Sequence, residues 1–347
     1  MSDYTDYAQQ SSVWAVVSYR AGESSQILGL STRLELPLEI KKLTYNRWAG
    51  PVGLARRVST AGIDAASLPG PPWPTLIISA GVKNEPVCRW IQAQSGGRTR
   101  LVFLGRTWAP RRHFDLVITT PQYRLPREPN IVHNLMTQHG VTSARLAEAK
   151  RRWEEFFAGF RRPLIGVLIG GDSGPLAFGE RAARRLAGAL NALARSMDGS
   201  ILATTSARTR ATAVDELERL LAPDAHVYRW REDDEENPYY GLLAHADRLV
   251  VTSDSIAMLS EAVGAGKPVY LFDLAGSPVD ATLKSRVYGA MMKLGPQRLS
   301  RDLGLFHRRY VEEGFGAWLG SEATAAPTDP EPEIQATVSR VLGLLER

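Results

Sequence analysis

Short runs of consecutive apolar residues recur along the chain, separated by longer stretches of mixed polarity. In the first half, Val13-Trp14-Ala15-Val16-Val17-Ser18, Thr75-Leu76-Ile77-Ile78-Ser79, Leu101-Val102-Phe103-Leu104 and Phe114-Asp115-Leu116-Val117-Ile118 have this character. In the second half it returns at Leu164 to Ile169, Ser200 to Thr205, Val227 to Trp230, Val250 to Thr252 and Val269 to Phe272. Such runs suit strands buried on both faces, and the helix-length segments between them predict parallel sheets with crossover helices. One helix follows the loop Tyr19–Ser25 and carries Ile27, Leu28 and Leu30. Others are expected from Thr142 to Phe160 (N-cap Thr142 or Ser143), Glu180 to Met197, Thr212 to Leu221, Ile256 to Val263 and Ile334 to Leu345.

Arg161-Arg162-Pro163 interrupts this pattern and marks a domain boundary. The expected organisation is a first domain of residues 1–162 and a second of 163–347, with the last helix packing back on the first and a proline- and acid-rich linker at 324–333 before it. A length of 347 residues allows two cores of roughly 150 residues each. The fold class is α/β: two Rossmann-type, doubly wound sheets facing each other across a cleft. Ligands of such sheets gather beyond the carboxyl ends of the strands, so the loops there are the places to look for chemistry.

Composition narrows the class. Hydrophobic and charged fractions of 44% and 23% are those of a globular protein. The single cysteine, Cys88, excludes an intrachain disulfide framework and a cysteine-rich zinc site, and points to the cytoplasm. No run approaches the ~18 apolar residues of a membrane span. The acidic start Met1–Tyr7 has the character of neither a secretory nor a mitochondrial leader.

The net charge of +5 hides an asymmetry: up to residue 163 there are 22 Lys+Arg against 12 Asp+Glu, and beyond it 20 against 25. A basic first half invites an anionic partner, although solvated surface charge gives the same count. Lys41-Lys42-Leu43-Thr44-Tyr45-Asn46-Arg47-Trp48, continuing to Arg56-Arg57, mixes cations with Leu, Tyr and Trp. It reads either as a contact for an anionic membrane surface or as an ordinary basic connection. A cytoplasmic protein, peripheral at the inner face of the cytoplasmic membrane, fits these features, and no nucleic-acid partner is expected.

Three post-strand loops of the second half carry candidate chemistry. Gly170-Gly171-Asp172-Ser173-Gly174 offers backbone N–H groups and a hydroxyl to a phosphate. It is neither a Walker loop nor a dinucleotide fingerprint, and Pro175 stands where a nucleophile elbow needs glycine. A tight turn without ligand is the plain alternative. Thr204-Thr205-Ser206-Ala207-Arg208-Thr209-Arg210 combines hydroxyls with guanidinium groups, a pairing that suits a diphosphate. Ser253, Asp254 and Ser255 open a helix whose free N–H groups attract anions, or simply cap it. Glu261, in an apolar, small-residue helix, has the chemistry to accept both hydroxyls of a ribose; Lys267 nearby is a candidate partner for it. The six histidines show no metal-binding spacing, and the acidic run 232–236 lacks calcium-loop periodicity. No metal or tightly bound cofactor is expected.

Arg20-Ala21-Gly22-Glu23-Ser24-Ser25-Gln26, Asn130-Ile131-Val132 with Val141-Thr142, Leu168-Ile169-Gly170-Gly171, Thr205-Ser206-Ala207-Arg208-Thr209, Asn237-Pro238-Tyr239, and Val251-Thr252-Ser253-Asp254-Ser255 through Gly266-Lys267-Pro268-Val269 occur in that order. The set resembles the bacterial and plant "mitochondrial fission, elongated mitochondria" family across nearly the whole chain. That resemblance implies a GT-B-like architecture. The Ser260-Glu261 helix is also similar to the donor site of GT-B glycosyltransferases, where a glutamate holds the ribose. Two departures stand out: Pro121-Gln122-Tyr123-Arg124 replaces a frequent Pro-x-His-Asp, and Ser24-Ser25 stands where histidine or asparagine is often found.

The expectation is a metal-independent, GT-B-type glycosyltransferase-like protein with a nucleotide-sugar as co-substrate and an anionic or lipid-linked acceptor. Its donor set is Gly170, Gly171, Ser173, Thr205, Ser206, Arg208, Asn237, Ser253, Asp254, Ser255, Ser260, Glu261 and Lys267, with Glu23, then His133, as catalytic base. A non-catalytic nucleotide-binding or scaffold protein on the same fold, and a nucleotide-sugar epimerase, are the alternatives.

Overall fold

The computed structural model describes residues 12–232, 234–275, 283–295, 299, 301–321 and 327–346. The acidic start Met1–Tyr7 and parts of the 232–236 loop and the 324–333 linker lie outside the described residues. The described residues fall into two compact units, the first drawn from Met1–Gly140, Leu299 and Glu331–Arg347, the second from Val141–Gly295 and Arg301–Pro330.

The first unit is a six-stranded parallel sheet of β1 (Val13–Val17), β2 (Leu38–Lys42), β3 (Leu76–Ala80), β4 (Arg100–Leu104), β5 (Leu116–Thr119) and β6 (Ile131–His133), ordered β2-β1-β3-β4-β5-β6. Alternate side chains feed two cores, because successive residues of a strand point to opposite faces. Val13 and Ala15 pack with Ile27 and Leu30 of the helix Ala21–Arg33; Trp14 and Val16 pack with Val87, Cys88 and Ile91 of the helix Glu85–Gln94. The basic segment at Lys41 begins as the edge strand β2, in which Lys41 and Lys42 pair with Val16 and Val17. Charge on an edge strand discourages pairing with another chain.

The helix Glu331–Leu342 belongs to this first sheet. Val338 and Val341 enter its core, Thr337 bonds Asn134 at 2.8 Å, and Glu331 pairs with Arg33 at 2.6 Å. Glu333 accepts the backbone N–H groups of Leu135 and Met136.

The second unit has β7 (Leu164–Leu168), β8 (Ser200–Thr204), β9 (His226–Tyr228), β10 (Arg248–Thr252), β11 (Val269–Phe272) and β12 (Ala317–Trp318), again all parallel, ordered β12-β11-β10-β7-β8-β9. Every residue of β7 is buried, as its apolar run predicts for a central strand. The helix Glu180–Met197 covers one face with Ala183, Leu186 and Leu190.

The units divide at Gly140 and not at residue 162. The expected helix Thr142 to Phe160 is two, Ser143–Arg152 and Glu154–Ala158, broken at Trp153. Both belong to the second unit because their aromatic residues are satisfied there. Trp153 and Phe157 lie against the Cα of Gly241, and the Phe157 ring stacks on His245 at 4.5 Å. Among the described residues no helix is long and apolar enough to cross a membrane.

Candidate functional site

In the second sheet the chain runs from β7 outward through β8 to β9, then returns to β10 on the other side of β7. The loops after β7 and β10 therefore leave in opposite directions, and this divergence is where open α/β sheets bind ligands. Asp254, fully buried, occupies it. Its Oδ2 accepts the Gly171 N–H at 3.0 Å and pairs with Arg208 at 3.0 Å, while Oδ1 accepts the Thr252 hydroxyl at 2.7 Å. Thr252 Oγ1 in turn accepts the Gly170 N–H at 2.8 Å. Burial pushes the Asp254 carboxyl up; Arg208, Thr252 and the Gly171 N–H oppose that shift.

The β8 loop closes over the same place. Ser206 and Thr209 both donate to the Gly170 carbonyl, Arg208 Nη1 donates to the Asp172 carbonyl at 2.9 Å, and Arg210 pairs with Asp172 at 2.6 Å. Gly170 and Gly171 are glycines for steric reasons: an added Cβ would lie 2.2 Å from Asp254 Oδ2 at the first and 2.2 Å from the Arg208 carbonyl oxygen at the second, whose φ is +147°.

This geometry changes the reading of the glycine loop. The N–H groups of Gly170, Gly171, Asp172 and Ser173 are taken by Thr252, Asp254, the Arg208 carbonyl and the Leu176 carbonyl. The anion that the loop cradles is the chain's own carboxylate. Several hydroxyls singled out as ligand contacts also turn inward. Ser253 is fully buried, its Oγ accepting the Leu274 N–H and its carbonyl accepting from His307 at 2.7 Å. Thr205 Oγ1 accepts the Trp230 N–H, Ser260 donates to the Ile256 carbonyl, and Ser255 caps the helix Ile256–Gly264. Ser173 accepts from Arg301 at 2.9 Å. Arg208 keeps a side chain 42% exposed at the rim.

Glu261 lies on the same helix, 6% exposed, and its Oε2 accepts the Tyr239 hydroxyl. Asn237 sets up this contact by accepting the Tyr239 N–H at 3.0 Å, which starts the helix Tyr239–His245. Burial and the Glu261 charge push the Tyr239 phenol well above its usual range and the Tyr240 phenol up to about 12. Arg145 lies 3.7 Å over the Tyr240 ring. Sequence reasoning passed over Tyr239, Tyr240 and Arg145 as chemistry, and missed Thr252 and Thr209 as braces. Lys267 is not part of this group. It precedes β11, at the amino edge of the sheet, where burial, Lys150 and Arg162 lower its pKa and Asp247 opposes them.

Two buried imidazoles brace this unit. His307 bonds the Ser253 carbonyl, and His245 bonds the Lys150 carbonyl at 2.9 Å. Burial lowers both pKa values. As pH falls below about 6.5 the unfolded chain takes up protons that these rings refuse. Stability is therefore full above that pH and is lost as pH drops toward the folded pKa, by up to about 1.4 kcal/mol per pH unit for each ring. Urea midpoints at pH 7 and 5.5 should fall accordingly, and less so in His307→Gln; an equal decline in that variant counts against the assignment.

In the first unit the corresponding divergence lies between β1 and β3. Glu23 sits there, accepting the Ser18 hydroxyl at 2.5 Å and pairing with Arg20 at 3.2 Å. Gly81, at φ +87°, leaves room for it: a Cβ would lie 2.6 Å from Glu23 Oε2. Asn84 ties the Val16 and Val17 carbonyls, and Lys83 lies 4.3 Å over the Tyr19 ring. His133 ends the edge strand β6, exposed, with Nε2 3.0 Å from the Pro126 carbonyl. Four strand spacings, about 19 Å, separate β6 from β1, so the two candidate bases do not share a site.

The family model described as Mitochondrial fission ELM1 matches residues 21–298. Mitochondrial fission protein ELM1 of Arabidopsis thaliana is 34% identical over 224 residues, 57% of this chain. The matched region spans 51% of the plant protein, about half its length. Two solved structures are similar in fold. A Staphylococcus aureus MnaA–UDP co-structure has a TM-score of 0.51 at 8% identity, covering 97% of both chains. The UDP-GlcNAc 2-epimerase of Methanocaldococcus jannaschii has a TM-score of 0.51 at 11% identity, covering 96% of this chain and 99% of that one. The architecture is GT-B-like, with two Rossmann-type sheets. The family match covers well over half of the sequence, and the chain belongs to the mitochondrial fission ELM1 family.

Proposed function

We propose that the chain binds a nucleoside-diphosphate sugar on its second unit and transfers the sugar to a hydroxyl of an anionic or lipid-linked acceptor. The observation that carries this reading is Glu261: a carboxylate buried in an apolar helix, set by Tyr239, on the element that begins beside Arg208 at the sheet's divergence point. A ribose diol is a natural partner for such a carboxylate. The rim guanidinium of Arg208 and the amino end of the Ile256–Gly264 helix suit the diphosphate, and would balance the charge that develops on it as the sugar leaves. Glu23, oriented by Ser18 and Arg20, is the base assigned to the acceptor hydroxyl proton. The fold neighbours named for UDP and for UDP-GlcNAc support the nucleotide class.

Thermal melts with UDP-, GDP-, ADP- and CMP-sugars at millimolar concentration test the reading. One of them should raise the melting temperature, since a ligand at one hundred times its Kd adds about 2.7 kcal/mol of stability. Silence from all four ends the donor-site proposal. With a binder in hand, Glu261→Ala should weaken it by about 1–3 kcal/mol, the worth of a hydrogen bond to a charged group. Glu23→Gln should bind normally and fail to turn over.

One observation favours a second reading, a non-catalytic nucleotide-binding scaffold. The N–H groups of Gly170 to Ser173 are already satisfied within the chain, so the loop offers less to a diphosphate than its glycines suggest. Binding without turnover in membrane extract supports the scaffold, and conversion of the donor alone identifies an epimerase.

A further inference from the structure

The short helix Ala49–Leu54 of the first unit is inside out. It buries Ala49 and Gly53, half-buries Gly50 and Val52, and leaves Trp48 and Leu54 at its two ends 54% and 53% exposed, with Val58 just beyond at 43%. Close approach enforces this. A Cβ on Gly53 would lie 2.3 Å from the Val82 carbonyl oxygen, and one on Gly62 would lie 2.7 Å from the Ala49 Cα. The backbone is drawn in so tightly that no large side chain fits beneath it. A helix serving only the core would place its large apolar residues inward.

The stretch of chain that carries it is basic, bounded by Glu39, which pairs with Lys41 at 2.7 Å, and by Asp64. From Ile40 to Ile63 the chain has five cations, Lys41, Lys42, Arg47, Arg56 and Arg57, and no Asp or Glu. The Arg47 guanidinium lies 5.2 Å from the Trp48 ring centroid, so a cation accompanies the exposed indole. An exposed tryptophan and aliphatic side chains on a stretch that carries Arg47, Arg56 and Arg57 match the layered chemistry of an anionic bilayer surface, with phosphates outside and acyl chains beneath. We propose that the Trp48–Val58 segment docks the protein onto an anionic phospholipid surface. This assignment is independent of what the second unit binds.

Co-sedimentation of the full chain with vesicles tests it. Binding is expected to vesicles of phosphatidylglycerol and phosphatidylcholine, to fall as salt rises, and to be absent with phosphatidylcholine alone. Trp48→Ser with Leu54→Ser, and separately Arg47→Glu with Arg57→Glu, should each lower vesicle affinity by at least about tenfold at unchanged melting temperature. Equal binding to neutral vesicles, or variants that bind like the parent, overturns the proposal. So does light scattering in which Trp48→Ser with Leu54→Ser halves the mass while vesicle binding persists, because the face is then a contact between two copies. If one variant pair misfolds, the other decides the matter, read against the lipid and salt dependence of the parent protein.

Discussion

Alanine at Gly171 is expected to cost the protein on the order of 3–5 kcal/mol. Two independent effects combine. A φ of +147° lies where side-chain-bearing residues are strained. The new Cβ would also stand 2.2 Å from the Arg208 carbonyl oxygen and 2.8 Å from the Thr209 nitrogen. Those are backbone atoms, so no rotamer change relieves the contact. The loop must move, and doing so draws the Gly171 N–H away from Asp254. Urea denaturation should show the midpoint falling with an unchanged slope, and a loss below about 1 kcal/mol would show that the loop adapts freely.

Asp254→Ala is the companion experiment, with an expected loss of about 3 kcal/mol. The substitution leaves the Gly171 N–H and the Thr252 hydroxyl buried without their acceptor, at roughly 1–3 kcal/mol for each unsatisfied group. Arg208 contributes less, because its exposed side chain is free to turn to water. Asp254→Asn should fall between parent and alanine, since the amide oxygen still accepts one N–H. If alanine and asparagine are equally mild, Asp254 is not the brace of these loops.

How much of this was written locally is a matter of range. Central strands announce themselves, because a residue such as Val167 is buried on a sheet face whichever helix covers it. The edge strand β2 does not, since Lys41 and Lys42 look like solvent residues until Val16 and Val17 pair with them. The domain boundary slipped for a similar reason: Trp153 and Phe157 find their partners at Gly241 and His245, some ninety positions on. At the site, the glycines of the β7 loop and the hydroxyls of the β8 and β10 loops were legible as a polar cluster. Which groups the cluster would satisfy was not, because the Asp254 carboxylate lies 83 residues from the Gly171 nitrogen that it takes. Lys267 is different. It stands before a strand, and that position alone assigns it to the edge opposite the loops.

The C-terminal helix has a consequence for the order in which the protein is made. Its Val338 and Val341 complete the hydrophobic core around Leu30, yet they leave the ribosome after every residue of the second unit. Synthesis therefore delivers the later unit whole while the earlier one still waits for its last wall, with Leu30 and its neighbours open to solvent or to a chaperone. A nascent chain stalled before Glu331 would carry a finished sheet downstream of an unfinished one.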